Sequence, residues 1–561
     1  MSTRSKRRIG YQRGCSALNN VISFLERHRE QSPDKTALIW MPPASPTSRS
    51  TSPLFAHQTL TYGDLAAQVE AAASGLDDLG LAAGDRVFAF VPMSPQLYVA
   101  MFAVQRLGAI PVFLDSWARR GQLGDCAAQA EPKAFIGPEP AFALTQGIPP
   151  LKAAGIRVVV GPHQGAYSAT LEDLAASGGT CPVCPVEQEH TALVTFTTGS
   201  SGTPKGANRT HRFLAAQHEA LDRCLPYNPE DADLPVFPIF SLNNIAGGVS
   251  TALPAVDLAK PSGEDGAVLL AQIEATGVTC CTLSPWLLRA TAAAATERGA
   301  GLEKLRRIAT GGAPISPDDV ALVKAAAPGA ELHILYGSTE VEPIAHVIAS
   351  EMPAATESGG VCVGTLATGL DHRLVRIHRG PIRLGPGGWQ EWQIAEESGE
   401  LVVCGEHVCR DYYRNDEAFE RAKIVDGERV WHRTGDVCRF DKQGRVWVEG
   451  RVHNAICRGN RILLPVGPEI VMARLPFVHA AAYLGLPDEE LGERAVAVFS
   501  TTPGAAGEGD LREEVRRALE AARVIVDEVV MVEEVPLDPR HHSKVEYAVL
   551  RERLLEGRAQ K

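Results

Sequence analysis

Short apolar segments typical of β-strands alternate with segments of helical periodicity over the first 340 residues of the chain. Apolar residues recur three and four positions apart from Leu60 towards Gly80 and again across residues 96–107. The strand-like segments lie at residues 85–91, 108–114, 134–136, 158–160, 193–197, 278–282, 307–309 and 333–335. Strands that alternate with helices form parallel sheets with helices on both faces. The sequence therefore predicts an α/β fold with a large N-terminal α/β domain.

The pattern changes after about residue 360. Shorter strand-like segments follow, separated by Gly, Pro and charged residues, at residues 374–377, 400–403, 430–432 and 446–449. Such segments favour an antiparallel β subdomain. Beyond Arg451, strand-like and helical segments alternate again to the end of the chain. We therefore predict a basic tail at residues 1–20, a main domain at residues 21–451 and a small α+β domain at residues 452–561.

The amino-acid composition limits the classes of partner that the protein can bind. The chain has 67 acidic and 55 basic residues and a net charge of −12, so a nucleic-acid backbone would be repelled. No apolar run reaches the ~18 residues of a membrane span, which predicts no transmembrane segment. The 12 cysteines are scattered, as expected for a protein of the reducing cytoplasm. We therefore predict a cytoplasmic protein without a nucleic-acid partner.

The strongest local signal is the segment Thr195-Phe-Thr-Thr-Gly-Ser-Ser-Gly-Thr-Pro-Lys-Gly206. Its glycines allow backbone N–H groups to approach an anion, its hydroxyls donate hydrogen bonds, and Lys205 adds a positive charge. The segment differs from the Walker motif because no Gly-Lys-Ser/Thr sequence closes it. Taken alone, it favours a phosphate site only slightly over a flexible connection.

Further motifs follow this loop in a fixed order. They are Gly311-Gly-Ala-Pro314, Tyr336-Gly-Ser-Thr-Glu340, Gly399-Glu-Leu401, Thr434-Gly-Asp436, Gly450-Arg451 and Pro536-Leu-Asp-Pro-Arg-His-His-Ser-Lys544. Together they resemble the signature of the adenylate-forming superfamily, which includes acyl-CoA synthetases and luciferases. The resemblance covers about residues 20–555. It implies layered sheets in the N-terminal domain and a small, mobile C-terminal domain that carries a catalytic lysine.

The resemblance also implies roles for individual residues, with ATP and Mg²⁺ as cofactors. Lys544 and Glu340 are the expected catalytic residues, and Glu340 and Thr198 are the expected metal ligands. Nucleotide contacts are expected from Thr197, Thr198, Gly199, Ser200, Ser201, Gly202, Thr203, Lys205, Gly312, Ala313, Pro314, Tyr336, Gly337, Ser338, Thr339, Asp436 and Arg451. Asp436 suits the two ribose hydroxyls because an ionised carboxylate accepts two such donors at once.

These residue types suit the chemistry of adenylation. A carboxylate must attack the α-phosphate of ATP, so two anions meet and positive charge is needed between them. Each residue also has a simpler interpretation when taken alone. Glu340 could satisfy backbone amides at a helix start, Asp436 could cap a turn, and Lys544 could be a solvated lysine. The order and spacing of the motifs favour the catalytic roles.

Two positions depart from the pattern of acyl-CoA synthetases. The segment Gly450-Arg-Val-His-Asn-Ala-Ile-Cys-Arg-Gly459 lacks the usual hinge aspartate and the lysine that follows it, and Ser241 stands where many relatives have a histidine. Both departures resemble the olefin β-lactone synthetases, as do residues 233–240, 355–364 and 538–544. This resemblance implies adenylation of a 2-alkyl-3-hydroxy fatty acid followed by attack of its own hydroxyl group. His541 or His542 could assist that step or be structural, and other enzymes of a hydrocarbon or lipid pathway are possible partners.

Two alternative functions remain open at this point. One is a fatty-acyl or aryl ligase that passes the adenylate to CoA, a carrier protein or an amine. The other is a nucleotide-binding regulator without catalysis, against which Lys544, Glu340 and Asp436 argue together. By analogy with the superfamily, residues 237–248 and 309–313 would line the acyl pocket. Phe240, Leu242, Ile245, Gly247 and Gly248 suit an apolar chain there, with core packing as the competing interpretation.

Overall fold

The structure, a computed structural model, describes residues 19–41, 57–114, 120–198, 204–299, 302–353, 359–393, 398–502, 508–537 and 545–559. Several predicted features lie outside these residues. They are nearly all of the basic tail, the loop tip Gly199, Ser200, Ser201, Gly202 and Thr203, and the histidines and lysine at His541, His542 and Lys544. The predictions for these positions stay predictions.

The described part of the chain begins with two helices and a strand pair. These elements are α1 (Ile22–Gln31), β1 (Thr36–Trp40), β2 (Gln58–Thr61) and α2 (Tyr62–Asp78). Helix α2 begins at Tyr62 because the Thr61 side chain accepts a hydrogen bond from the backbone N–H of Asp64, which is a standard N-cap. The strands β1 and β2 pair antiparallel at the edge of the larger sheet.

The first sheet has seven strands in the order β7-β6-β5-β3-β4-β8-β9. Its strands are β3 (Arg86–Ala89), β4 (Ile110–Leu114), β5 (Ala134–Pro138), β6 (Ile156–Val160), β7 (Ala169–Thr170), β8 (Thr191–Thr198) and β9 (Pro204–Thr210). Its helices are α3 (Pro95–Arg106), α4 (Arg120–Ala130), α5 (Glu139–Thr145), α6 (Pro149–Lys152) and α7 (Leu171–Ala176). The strands are parallel except β9, which runs antiparallel to β8.

The second sheet begins with another run of alternating elements. They are α8 (His211–Cys224), β10 (Ala232–Pro235), α9 (Pro238–Ala246), β11 (Ser250–Ala252), α10 (Asp265–Thr276), β12 (Cys280–Leu283), α11 (Pro285–Arg298), β13 (Arg307–Gly311), α12 (Pro317–Ala326), β14 (Glu331–Ser338) and β15 (Val341–Ile348). Strands β1, β11, β10, β12, β13 and β14 are parallel neighbours, and β15 turns back antiparallel to β14. The α/β fold predicted from the alternation is confirmed, with its strands divided between two sheets.

The two sheets share one buried apolar cluster. Leu38 of β1 and Val87 of β3 belong to it, together with Leu97 and Tyr98 of α3. Helix α3 therefore contributes to the core between strands of both sheets. Burial of such apolar side chains is the main force that holds the layers together.

The β subdomain continues the second sheet to fourteen strands. Its elements are β16 (Val361–Leu366), β17 (Asp371–Val375), β18 (Gly399–Cys404), α13 (Asp416–Ala422), β19 (Lys423–Asp426), β20 (Arg429–Phe440) and β21 (Val446–Arg451). All its strand pairs are antiparallel, as the sequence predicts. Short 3₁₀ helices span Ala349–Glu351, Gly388–Glu391 and Val452–Asn454.

The last part of the chain forms a separate sheet of five strands with its own core. Its elements are β22 (Ile456–Arg458), β23 (Arg461–Leu463), α14 (Val466–Ala473), β24 (Val478–Asp488), β25 (Gly492–Thr501), α15 (Glu508–Ala521), β26 (Glu528–Met531) and α16 (Tyr547–Ala559). In the part of the chain that the structure describes, no helix combines the length and apolar character needed to cross a membrane.

Candidate active site

The carboxyl ends of strands from both sheets border a single large cavity of about 1270 Å³. Ala89 ends β3, Leu114 ends β4 and Gly311 ends β13, and all three line this cavity. Ligands of open α/β sheets bind beyond the carboxyl ends of the strands. The cavity wall includes the predicted site residues Thr197, Lys205, Gly312, Gly337, Ser338, Thr339, Glu340 and Arg451. The structure therefore brings together most of the described part of the predicted nucleotide site.

The turn after β13 depends on its glycines. A Cβ atom on Gly311 would lie 2.5 Å from the carbonyl oxygen of Leu335 in β14, too close for any other residue. Gly312 has a φ of +82°, in the left-handed region that favours glycine. Ala313 and Pro314 follow in the same turn but are not among the described residues that line the cavity. The glycine pair thus allows the chain to turn tightly at the cavity edge.

The predicted phosphate loop is the tip of the β8–β9 hairpin. Thr197 pairs with Lys205, and Thr198 pairs with Pro204, so the loop tip at residues 199–203 connects two adjacent antiparallel strands. Thr197 and Lys205 both line the cavity at the base of this loop. The described residues that flank the predicted phosphate-binding segment therefore lie at the same cavity as Glu340.

Glu340 lies in the turn between β14 and β15, not at a helix start. Its Oε1 accepts a hydrogen bond of 2.6 Å from the hydroxyl of Tyr412, and its carbonyl oxygen accepts one of 2.7 Å from the backbone N–H of Cys409. The same segment is bound to β9, since Tyr412 bridges Ala207 and the N–H of Tyr413 donates to the carbonyl of Gly206. Glu340 is thus held in a fixed position relative to the phosphate-loop hairpin.

A buried positive charge, that of Lys423, lies close to Glu340. Lys423 is 2% exposed, and its ammonium group donates to the carbonyl of Cys409 and lies 3.1 Å from Nδ1 of His432. The Lys423 ammonium also lies 5.1 Å from the centre of the Tyr412 ring. The sequence did not single out Lys423, His432 or Tyr412. In the sequence, Lys423 and His432 are marked only as basic residues in segments that form strands of the β subdomain.

These neighbours keep Glu340 ionised. Burial raises the pKa of the Glu340 carboxyl, but His432, the Tyr412 hydroxyl and Lys423 outweigh burial and lower the pKa to about 2. Burial and the neighbouring Lys423 lower the pKa of His432 to about 3. His432 is therefore uncharged near neutral pH, and Lys423 supplies the compensating cation. The result is a buried carboxylate that stays charged at the cavity wall.

The other end of the site is built around Asp436. This residue lies within β20 and is 5% exposed, and its carboxylate accepts a 2.5 Å hydrogen bond from the hydroxyl of Tyr336. Nε of Arg451 lies 2.9 Å from the second carboxylate oxygen. Asp436 pairs with Arg451 across β20 and β21 rather than capping a turn. Tyr336 and Asp436 are not among the described residues that line the cavity, and Arg451 is the member of this group that does.

The residues predicted to line the acyl pocket fall into two groups. Phe237, Phe240 and Leu242 line the cavity, as do Thr310 and Gly311 from β13. Ile245 instead belongs to the core cluster that contains α2 and α3. A Cβ atom on Gly248 would lie 2.6 Å from the ring of His28, so this glycine also serves packing. The start of the segment 237–248 therefore faces the cavity and its end faces the core.

The residues present fit Mg²⁺. Carboxylate oxygens suit this hard cation, which proteins usually bind through one or two carboxylates together with substrate phosphates. Glu340 is an ionised carboxylate at the cavity wall, next to the phosphate-loop hairpin. Among the described residues no group of three or more His, Cys, Asp or Glu side chains could hold a metal on its own. The buried cysteines Cys126, Cys181, Cys280, Cys281, Cys362, Cys404, Cys409 and Cys438 are free thiols.

Comparison with known proteins agrees with this arrangement. Residues 25–413 match the family of AMP-binding enzymes. The olefin beta-lactone synthetase of Xanthomonas campestris pv. campestris is 31% identical over 557 residues, 94% of this chain and 96% of the relative. That of Stenotrophomonas maltophilia is 35% identical over 407 residues, 70% of this chain and 72% of the relative.

A solved structure shares the fold. ATP-bound MatB from Rhodopseudomonas palustris superposes with a TM-score of 0.76 at 21% identity, over 95% of this chain and 98% of that chain. The match includes the C-terminal sheet as well as the two large sheets, because it covers nearly the whole length. The chain therefore belongs to the AMP-binding family of adenylate-forming enzymes.

Proposed function

We propose that this enzyme adenylates a 2-alkyl-3-hydroxy fatty acid and then closes the acyl adenylate to a β-lactone, releasing AMP. The observation that carries the proposal is the continuity of the cavity. One space of about 1270 Å³ joins the Glu340 and Arg451 positions to the apolar wall formed by Phe237, Phe240 and Leu242. This volume is above the ~300–1,000 Å³ of ordinary ligand pockets, as expected for a nucleotide and a long acyl group together.

In the first step, a carboxylate oxygen of the acid attacks the α-phosphorus of ATP, the bond to the β-phosphate breaks, and pyrophosphate leaves. Lys205 at the base of the phosphate loop would hold the outer phosphates, and Asp436 would accept the ribose hydroxyls. Lys544 would lie between the carboxylate and the α-phosphate. Mg²⁺ held by Glu340 and Thr198 would supply charge neutralisation for the phosphates.

In the second step, the 3-hydroxyl oxygen attacks the acyl carbon, a new C–O bond forms, and the bond to AMP breaks. The hydroxyl proton passes to a base, for which His541 and His542 are candidates. Attack within one molecule gains proximity worth up to ~7–11 kcal/mol, and the strain of the four-membered ring offsets part of this gain. The buried cavity would also keep water away from the adenylate.

The relatives of 30% identity or more support this proposal over transfer to CoA, whereas CoA ligases match the chain at 24–29% identity. Two of them are olefin beta-lactone synthetases that the chain matches at 31% and 35% identity. Cys457 and Asn454 stand in the element where acyl-CoA synthetases carry their hinge aspartate and lysine. The cytoplasmic location and partners from a hydrocarbon or lipid pathway belong to the same proposal. The free thiols of buried cysteines such as Cys126, Cys280 and Cys281 support a reducing compartment.

A substrate pair tests the proposal. The protein is incubated with ATP, Mg²⁺ and either a 2-alkyl-3-hydroxy acid or the same acid without the hydroxyl group, with no CoA present. We expect pyrophosphate release from both acids, but AMP and a product lighter by one water only from the hydroxy acid. If AMP from the hydroxy acid appears only after CoA or a carrier protein is added, the enzyme is an acyl-transferring ligase and the lactone proposal is wrong.

A further inference from the structure

A second cation lies on the same strand as Lys205 and lines the same cavity. Lys205 and Arg209 are four residues apart on β9, so their side chains lie on the same face of the strand, about 13 Å apart along it. Arg209 belongs to none of the sequence motifs described above. It is 5% exposed, whereas a typical arginine lies at the surface.

The guanidinium of Arg209 has few partners. Its Nη2 donates a 3.0 Å hydrogen bond to the carbonyl of Thr339, the residue before Glu340, while its Nε is buried without a hydrogen-bond partner. Its carbon lies 5.8 Å from the centre of the Phe213 ring. Within the described ranges, this guanidinium forms no ion pair at 4 Å or less. The carboxylates of Glu342 and Glu340 lie farther away and favour its charged form only through space.

The buried Arg433 shows the usual arrangement for comparison. Its guanidinium pairs with Glu400 at 2.6 Å and also donates to three backbone carbonyls. A buried charge without such a partner is unfavourable in the free protein. Arg209 therefore has the properties of a group whose anion arrives with a ligand.

We propose that Arg209 binds an oxyanion of the reacting groups, either the carboxylate of the acid or the α-phosphate of the nucleotide. Lys205 lies at the base of the phosphate loop, so it is placed to hold the outer phosphates. Arg209 lies farther along β9, beside Thr339 and away from the loop, so the proposal assigns it to the inner phosphate or the acid. The proposal rests on the proposed adenylation and adds a binding residue to that step.

Binding measurements on Arg209→Met test this assignment, with adenosine, AMP and 3-hydroxypalmitate as separate ligands in calorimetry. Arg223→Met is the matched control, because Arg223 is an exposed arginine on the next helix that pairs with Glu219 of the same helix. We expect Arg209→Met to bind adenosine within twofold of the wild type and to lose about tenfold or more in affinity for AMP, for 3-hydroxypalmitate or for both. A tenfold loss corresponds to about 1.4 kcal/mol.

The ligand that loses affinity identifies the anion. Loss for AMP alone assigns Arg209 to the α-phosphate, and loss for 3-hydroxypalmitate alone assigns it to the carboxylate. If both ligands bind Arg209→Met as they bind the wild type, the proposal is overturned. If wild-type protein binds none of the three ligands, the proposed adenylation itself fails and the role of Arg209 fails with it.

Thermal unfolding separates binding from a structural role. Because Arg209 is a buried cation that forms no ion pair with any residue the structure describes, the ligand-free Arg209→Met variant is expected to melt at the same temperature as the wild type or higher. If this variant does not fold, Arg209→Gln is measured in its place against the same criterion. Failure of both variants to fold would make Arg209 a structural residue and overturn the proposal.

Discussion

Replacement of Asp436 by Asn tests the ribose site most sharply. In the structure, the Asp436 carboxylate accepts a hydrogen bond from Tyr336 and pairs with Arg451. An ionised carboxylate has about four acceptor positions, so two remain for the ribose hydroxyls. Asn keeps the volume but removes the charge and replaces one acceptor oxygen by a donor. Because Tyr336 and Arg451 must still be satisfied, at least one ribose hydroxyl loses its acceptor.

The size of the effect follows from the kind of bond that is lost. A hydrogen bond to a charged group contributes about 1.5–3 kcal/mol, and each 1.4 kcal/mol is a factor of ten in affinity. The KM for ATP in pyrophosphate exchange should therefore rise about 10- to 150-fold in Asp436→Asn. Asp441→Asn is the matched control, because Asp441 binds Arg445 and Trp447 at the far end of the same hairpin.

Deoxynucleotides show whether the loss concerns the ribose. The wild type should lose affinity for 2′-deoxy-ATP or 3′-deoxy-ATP, whereas Asp436→Asn should lose little more, since the acceptor is already gone. This is a double-mutant cycle with one change on the ligand. The deoxynucleotide could instead weaken binding by the same factor in Asp436→Asn as in the wild type. In that case Asp436 does not contact the ribose hydroxyls and the assignment is wrong.

Three further changes probe the rest of the site. Lys544→Ala should lower pyrophosphate exchange by ~10²-fold or more because a charge-stabilising donor is lost, and normal exchange would remove Lys544 from its proposed role. Glu340→Gln should raise the Mg²⁺ concentration needed for half-maximal exchange, and an unchanged requirement would count against a ligand role. The His432→Gln variant should lose less thermal stability than the wild type when the pH is lowered from 6.5 to about 4. The folded protein holds the pKa of His432 at about 3, below its usual 6.5, so the unfolded chain takes up a proton as the pH falls through this range. An equal loss in both proteins would show that His432 titrates normally.

Local sequence patterns predict elements better than they predict sheets. The alternation of strands and helices places β3, β4 and β12 within a few residues of their observed bounds. The pattern gives no information on pairing, however, and β8 pairs with β4 and β9 whereas β10 joins the other sheet. Which strands are neighbours is decided by long-range packing of the helices between the sheets.

The same limit applies to the site. Lys205, Glu340 and Arg451 line the cavity, and their place together could be expected because each belongs to a recognisable signature. Arg209 and Lys423 belong to none, and what distinguishes them is burial beside residues far away in sequence. The hydroxyl of Tyr412 reaches Glu340 across 72 positions of the chain. Only the packing of the β subdomain against the phosphate-loop hairpin brings these groups together.

The most direct test of the account follows the oxygen atoms of the acid. A 2-alkyl-3-hydroxy acid with ¹⁸O in both carboxylate oxygens is converted with ATP, and the AMP and the organic product are analysed by mass spectrometry. Attack of the carboxylate on the α-phosphorus predicts one ¹⁸O in AMP and one in the carbonyl group of the lactone. AMP without ¹⁸O, formed together with the lactone, would mean that no acyl adenylate lies on the path and would contradict the central claim.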